Sequence, residues 1–275
     1  MQLDPAATAA GFRLLAAERL PSTNAHALAL ARAGEAGPLW ITAREQSAGR
    51  GRRGNAWLSS PGNLHATLLL GDGASPQRAP ELSFVAALAV HDAIVDCAAA
   101  LRPKLALKWP NDVLCRGAKL AGILVEGETV ATPAGQKELA VAIGIGVNCV
   151  YHPSQTSYPA TDLAAAGAEV AADALFHALS GTMMRRLAQW RRGAGFSVIR
   201  ADWLAHATGI GGEMRVRLSG REFLGRCEAL DAGGRLLLRL ADGTLQTIAA
   251  GDVFPLSPDA APERPADAPQ QGGLG

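Results

Sequence analysis

A chain of 275 residues, 48% of them hydrophobic and 19% charged, holds enough apolar material for a large core, which excludes a disordered or fibrous protein. Its formal net charge of +1 supplies no long-range field and argues against a broad polyanion-binding surface. Cys97, Cys115, Cys149 and Cys227 lie far apart, with no Cys-x-x-Cys pair and no histidine at ligand spacing, so no zinc centre and no disulfide framework is expected. Residues 1–11 lack a basic stretch followed by an apolar core, and no apolar run approaches the length of a bilayer span. A soluble protein of the reducing cytoplasm, with no membrane partner, is the expectation.

In chain order, Pro21-Ser22-Thr23-Asn24 reads as a helix start before an alanine- and leucine-rich run over 25–33 that stops at Gly34. Ser22, Thr23 and Asn24 are capping residues by type, and a helix N-terminus carrying hydroxyls is also an anion site, so both roles stand. A strand is expected over 39–43 and another over 63–70, joined by the loop Gln46-Ser47-Ala48-Gly49-Arg50-Gly51-Arg52-Arg53-Gly54-Asn55-Ala56-Trp57-Leu58. Glycines alternating with arginines would bring backbone N–H groups and guanidinium forks together, as binding a phosphate or a carboxylate requires. The same composition also fits a solvated loop or a nucleic-acid patch.

A polar turn over 71–80 leads to a helix over 81–101, with Leu82, Val85, Leu88, Ala89 and Ile94 on its buried side. Short strands follow at 105–108, 113–115 and 119–126, the first two separated by the turn Trp109-Pro110-Asn111-Asp112. The apolar strand over 140–147 contains Gly144 and Gly146, and glycine inside a strand marks a bulge or a close approach to the backbone. Helices are expected from 171 to about 192 and on to about 206. Beyond Gly211 come short alternating strands at 214–218, 223–230, 235–240 and 245–249, divided by Ser219-Gly220, Gly233-Gly234 and Asp242-Gly243. These predict a small β barrel from about 209 to 257, and 258–275, rich in Pro, Ala, Gly and Gln, reads as a disordered tail.

Five segments occur in a fixed order: Ser-Thr-Asn at 22–24, Gly-Arg-Gly-Arg-x-Gly-Asn-x-Trp-Leu-Ser at 49–59, Lys-Trp-Pro-Asn-Asp at 108–112, Lys-Leu-Ala-Gly-Ile-Leu-Val-Glu at 119–126 and Gly-x-Gly-x-Asn at 144–148. In this order the chain resembles the biotin protein ligases over roughly residues 12 to 256. The resemblance implies an α+β fold: a catalytic domain over 1–208, with a mixed sheet and helices as in class II synthetases and lipoate ligases, and an SH3-like barrel over 209–257. It implies a two-step reaction using biotin, ATP and Mg2+, in which biotinyl-5′-AMP forms and a lysine of the biotin carboxyl carrier protein of acetyl-CoA carboxylase is then biotinylated. Ser22, Thr23, Asn24 and Gln46 look like contacts to the biotin head group. Arg50, Gly51 and Arg52 look like the segment closing over the biotin carboxylate and the adenylate phosphate. Lys119 corresponds to the lysine meeting carboxylate and phosphate together, with Lys108 helping on the phosphate. Trp57, Asn55 and Asn148 correspond to adenylate contacts.

Asp112 has three readings: acceptor of a proton from the incoming carrier lysine, which is the favoured one, magnesium ligand, or turn residue. No residue is assigned as a metal ligand outright. The Ser-Thr-Asn motif stands about twenty residues from Met1, which leaves no room for the winged helix-turn-helix of some ligases, so no DNA partner or repressor activity is expected. A homodimer is left open. A lipoate or octanoate transferase of the same superfamily is the alternative enzyme. A nucleic-acid-binding protein is the alternative outside catalysis, and no aromatic residues interleave the arginines to support it.

Overall fold

The computed structural model describes residues 1–131, 135–154, 156, 158–218 and 221–255. Helix α1 (Pro5–Ala9) precedes β1 (Arg13–Leu20), α2 (Thr23–Arg32), β2 (Leu39–Gln46) and β3 (Leu64–Leu70). Next come α3 (Glu81–Cys97), β4 (Leu105–Lys108), β5 (Asp112–Cys115), β6 (Ala118–Ala131) and β7 (Lys137–Val147). Helices α4 (Ala172–Trp190) and α5 (Phe196–Ala205) lead to β8 (Glu213–Leu218), β9 (Arg221–Leu230), β10 (Leu236–Leu240), β11 (Leu245–Ile248) and β12 (Asp252–Pro255). The residues group into two units, one of Met1–Thr208 with Leu230–Arg235, the other of Gly209–Ala229 with the described residues from Leu236 on.

A seven-stranded sheet, in the order β1-β2-β3-β7-β6-β5-β4, forms the frame of the first unit. Strands β1 and β2 run parallel, and the other neighbours are antiparallel. Residues opposite one another on a ladder share a face, and the face alternates along each strand. On one face Leu39, Ile41, Leu69, Ala140 and Ala142 cluster with Ala27 and Ala31 of α2, whose small side chains let the helix lie close to the sheet. The opposite parity buries Leu64, Ala66 and Leu68. Trp40 of β2 meets Phe176 of α4 edge to face there, with ring centroids 5.4 Å apart, an arrangement worth about 0.5–1.5 kcal/mol beyond the area buried.

Several boundaries differ from the sequence expectation. The helix expected over 81–101 ends at Cys97, because Ala98 leaves helical geometry and Ala99–Lys104 tightens into a 3-10 segment with Pro103 inside it. Helix α2 begins at Thr23 rather than residue 25, with Ser22 Oγ accepting from the Ala25 N–H at 3.4 Å. Strands β6 and β7 are longer than 119–126 and 140–147, since their register continues to Ala131 opposite Lys137. Strand β1, α1 and β12 had no counterpart in the sequence reading.

The second unit is built on a five-stranded sheet, in the order β11-β10-β9-β8-β12, with antiparallel pairing where β8 meets β9 and β12 and where β10 meets β11. Alternate residues, including Met214, Val216, Cys227, Leu236, Leu238 and Ile248, form its interior. The Ser219-Gly220 turn and the tail expected over 258–275 lie outside the described residues.

Candidate active site

Register assembles the floor of the site. Thr67 and His65 of β3 lie opposite Gly144 and Gly146 of β7, which lie in turn opposite Leu124 and Gly122 of β6. Asp112 of β5 pairs with Gly122 on one side and with Lys108 of β4 on the other. These positions, with Glu126 two residues beyond Leu124, share the face that carries α2. That face is apolar under the body of α2 and becomes polar and glycine-lined beyond its N-terminus. The glycines are required by close approach. A Cβ on Gly144 would sit 2.2 Å from Asn24 Oδ1, one on Gly146 2.4 Å from the Trp57 ring, and one on Gly122 3.1 Å from Trp57 and 3.3 Å from Lys119 Cε.

At the N-terminus of α2, Thr23 and Asn24 are buried within the first turn, with their side chains turned into the site. Gln46 Oε1 accepts from the Thr23 N–H at 2.8 Å and from Thr23 Oγ1 at 3.0 Å, and Gln46 Nε2 donates to Ser59 Oγ at 2.8 Å. Thr67 Oγ1 lies 2.8 Å from Thr23 Oγ1 and 2.7 Å from Asn24 Oδ1. The Asn24 amide donates to Leu124 O at 3.2 Å and to Glu126 Oε2 at 2.9 Å. Ser22 caps the helix, so of the Ser-Thr-Asn motif it is Thr23 and Asn24 that join this network.

Two lysines converge on one carboxylate. Lys119 Nζ stands 2.7 Å from Asp112 Oδ1, Lys108 Nζ stands 3.3 Å from Asp112 Oδ2, and all three side chains are largely shielded from solvent. Asp112 therefore neutralises one of two clustered positive charges and leaves the other to a ligand. To its three readings this geometry adds a fourth, an anchor for both lysines. The Lys119 ammonium also lies 5.1 Å from the Tyr158 ring centroid and 5.8 Å from that of Trp57. Tyr158 arrives because the Lys119 N–H donates to Pro159 O at 2.8 Å and the Thr161 N–H to Lys119 O at 2.9 Å, clamping that segment to β6. Asn148 helps hold it, its amide donating to Thr161 O at 2.9 Å. One side of the Asn148 amide is thus engaged by the chain itself.

The arginine loop is a small hairpin. Arg50 bridges to Ala56, Gly51 N–H donates to Asn55 O at 2.7 Å, and Trp57 N–H donates to Gly49 O at 2.9 Å. The cradle of backbone N–H groups expected from composition is corrected by this arrangement. Those of Gly51, Asn55 and Trp57 are satisfied inside the loop, so its positive potential comes from the guanidinium groups. Arg50 reaches Glu126 Oε2 at 3.1 Å and Arg52 reaches Asn111 Oδ1 at 3.2 Å. Asn111 in turn fastens the β4–β5 turn to β6, donating to Ile123 O at 2.6 Å. Asn55 is exposed at the loop tip.

Of the residues expected from sequence, Thr23, Asn24, Gln46, Arg50, Arg52, Trp57, Lys108, Asp112 and Lys119 come together over the glycine floor. Thr67 and Tyr158 were missed, and Ser59, Glu126 and Asn111 were seen only as motif letters. A single threonine in a leucine-rich strand carries no signal of function until pairing sets it beside Gly144. His65, buried next to this floor with Nε2 3.3 Å from Ser60 O, has its pKa pushed below the ordinary imidazole value by burial.

The sequence pattern of the Biotin/lipoate A/B protein ligase family matches residues 16–148, and that of the Biotin protein ligase C terminal domain matches residues 209–254. A biotin--[acetyl-CoA-carboxylase] ligase of Paracoccus denitrificans is 41% identical over 86% of this chain and 98% of its own length. Its Mycobacterium tuberculosis counterpart is 36% identical over 86% of each chain. The structure of the Aquifex aeolicus biotin protein ligase in complex with biotin and ATP superimposes with a TM-score of 0.72 at 22% identity, covering 89% of this chain and 98% of that one.

Proposed function

The chain belongs to the biotin protein ligase family, and from that membership we propose that this site activates biotin with ATP and passes it to one lysine of the biotin carboxyl carrier protein of acetyl-CoA carboxylase. In the first step a carboxylate oxygen of biotin attacks the α-phosphorus of ATP and pyrophosphate leaves, giving biotinyl-5′-AMP. In the second, the neutral amine of the carrier lysine attacks the acyl carbon, a C–N bond forms and AMP leaves. Each step takes place in the cytoplasm on soluble partners.

Electrostatics makes the first step the demanding one. Two unit charges of like sign 4 Å apart repel by about 4 kcal/mol at an effective dielectric of about 20, and the carboxylate must approach a triphosphate. Lys119, held by Asp112 beside Lys108, meets carboxylate and α-phosphate together, and Arg50 and Arg52 neutralise the same anions from the loop side. Thr23, Asn24 and Gln46 provide the donors and acceptors that a ureido ring needs, with Ser22 setting the helix start that presents them. Trp57 and Asn148 serve the adenylate, and Gly51 and Asn55 shape the loop. Magnesium would be carried in on the triphosphate and would supply screening of the phosphate charge; the Asp112 carboxylate is engaged by two lysines, and among the described residues no group of three His, Cys, Asp or Glu is arranged to hold an ion.

The observation that carries this reading is the convergence of Lys108 and Lys119 on Asp112, facing an arginine hairpin across a glycine floor. The test is biotin-dependent exchange of labelled pyrophosphate into ATP, which lipoate should not support. Lys119→Ala should slow exchange by at least about a hundredfold, the loss of roughly 3 kcal/mol of transition-state stabilisation, while the fold persists. Exchange driven by lipoate, or none with biotin, would overturn the proposal.

A further inference from the structure

One carboxylate of the site plays no part in the chemistry above. Glu126 Oε2 accepts from Asn24 Nδ2 at 2.9 Å and from Arg50 Nη2 at 3.1 Å, so a single oxygen joins the network at the start of α2 to the arginine hairpin. Followed from the loop entrance, the polar chain runs from Gln46 to Thr23, Thr67, Asn24, Glu126 and Arg50. A carboxylate and a backbone carbonyl only accept hydrogen bonds, so Glu126, together with Leu124 O, fixes which way the Asn24 amide faces and turns Oδ1 toward Thr67. The Arg50 end is different. Its side chain is 46% exposed, and an ion pair of that exposure holds loosely, which lets the guanidinium turn to another carboxylate without a large cost.

We propose that Glu126 is a positioning residue that aligns Asn24 and Arg50 together, so that the contact to the biotin head group and the clamp on its carboxylate are set as one unit. This rests on reading Asn24 and Arg50 as biotin contacts. Glu126→Met would remove the shared acceptor with little change in volume and leave both donors without it, whereas Glu126→Gln can set its amide oxygen in the place of Oε2 and keep both contacts.

Steady-state kinetics provides the test: Glu126→Gln should keep the parent values, and Glu126→Met should not. In Glu126→Met the KM for biotin should rise about tenfold, with kcat within about twofold and the KM for ATP unchanged. Combined with Arg50→Ala, its effect on the biotin KM should fall short of the product of the two single effects, because both changes remove the same link. In the absence of biotin and ATP, tryptic cleavage after Arg50 should be faster in Glu126→Met than in the parent chain. Multiplicative penalties, or an unchanged biotin KM together with unchanged cleavage, would overturn the proposal. Should Arg50→Ala and Asn24→Ala leave the biotin KM untouched, their assignment as biotin contacts fails, and faster cleavage in Glu126→Met would still uphold Glu126 as the residue that positions the loop.

Discussion

Asp112 is the residue on which the site's charge balance turns. Its carboxylate is largely buried between the Lys108 and Lys119 ammonium groups, so Asp112→Asn would leave two like charges facing each other with no shared anion. Adenylate formation should fall at least about tenfold, and urea unfolding should report a loss of about 1–3 kcal/mol. Unchanged stability would mean that the lysines are solvated enough to separate. Gly144 is a second such position. In Gly144→Ala the new methyl group would displace the Asn24 amide, so the biotin KM should rise about tenfold while overpacking costs about 1–3 kcal/mol of stability. His65 carries a pH dependence whose sign follows from burial. Its folded pKa lies below the ordinary 6.5, so the unfolded chain binds the proton first, and stability present above that pH is lost as pH falls below it. Urea midpoints at pH 7.5 and 5.5 should therefore fall further in the parent chain than in His65→Gln, which keeps an N–H for Ser60 O. Equal slopes would show that the imidazole titrates normally.

Among the elements, the arginine hairpin and α2 depend on each other. The hairpin closes on itself through Arg50, Ala56, Gly49 and Trp57, is tied to Gln46 through Ser59, and is linked to α2 through Glu126 and the threonine network. An element with few apolar contacts and exposed arginines lies at the low-stability end of the fold and is suited to ordering on ligand binding. Biotin and ATP together should slow tryptic cleavage after Arg50, Arg52 and Arg53, each ligand alone having a smaller effect. Cleavage indifferent to both would leave a static arginine cluster in place of a closing loop. Helix α2 is the rigid partner, because Ala27 and Ala31 seat it on Leu39, Ile41, Leu69 and Ala142, so its first turn presents Thr23 and Asn24 at a fixed height above the sheet.

For the whole molecule, burial sorts the thiols. Burial pushes Cys149 and Cys227 up to about 11, which leaves roughly one thiolate in a thousand at pH 8, while Cys97 is exposed. Iodoacetamide at pH 8 should modify Cys97 in the folded protein and all four cysteines only after denaturation, as read by intact mass. Early modification of Cys149, whose backbone N–H donates to Asn63 Oδ1 at 2.8 Å beside the site, would show that this part of the fold opens locally.

Sequence by itself determined the fold class, the order of the chemistry-bearing segments and the identity of the cations, because helix caps, glycine placement and ordered motifs are written locally. Gly144 and Gly146 could be read as places of close approach, and Asn24 and Trp57 are what approaches them. Arg13–Leu20 was not legible as a strand: its Leu, Ala, Glu and Arg residues favour a helix, and parallel pairing to β2 at the sheet edge overrides that preference. Nor could any local signal set Thr67 against Asn24, Asp112 between Lys108 and Lys119, or Glu126 beside Arg50. Thr67 and Asn24, like Glu126 and Arg50, lie far apart along the chain, and even for Asp112 and its nearby lysines only the register of β3, β7, β6, β5 and β4 decides which side chains share a face. The tertiary structure therefore decided the network that turns separate motifs into one site, because hydrogen bonds and ion pairs act over a few ångströms of space and are indifferent to distance in sequence.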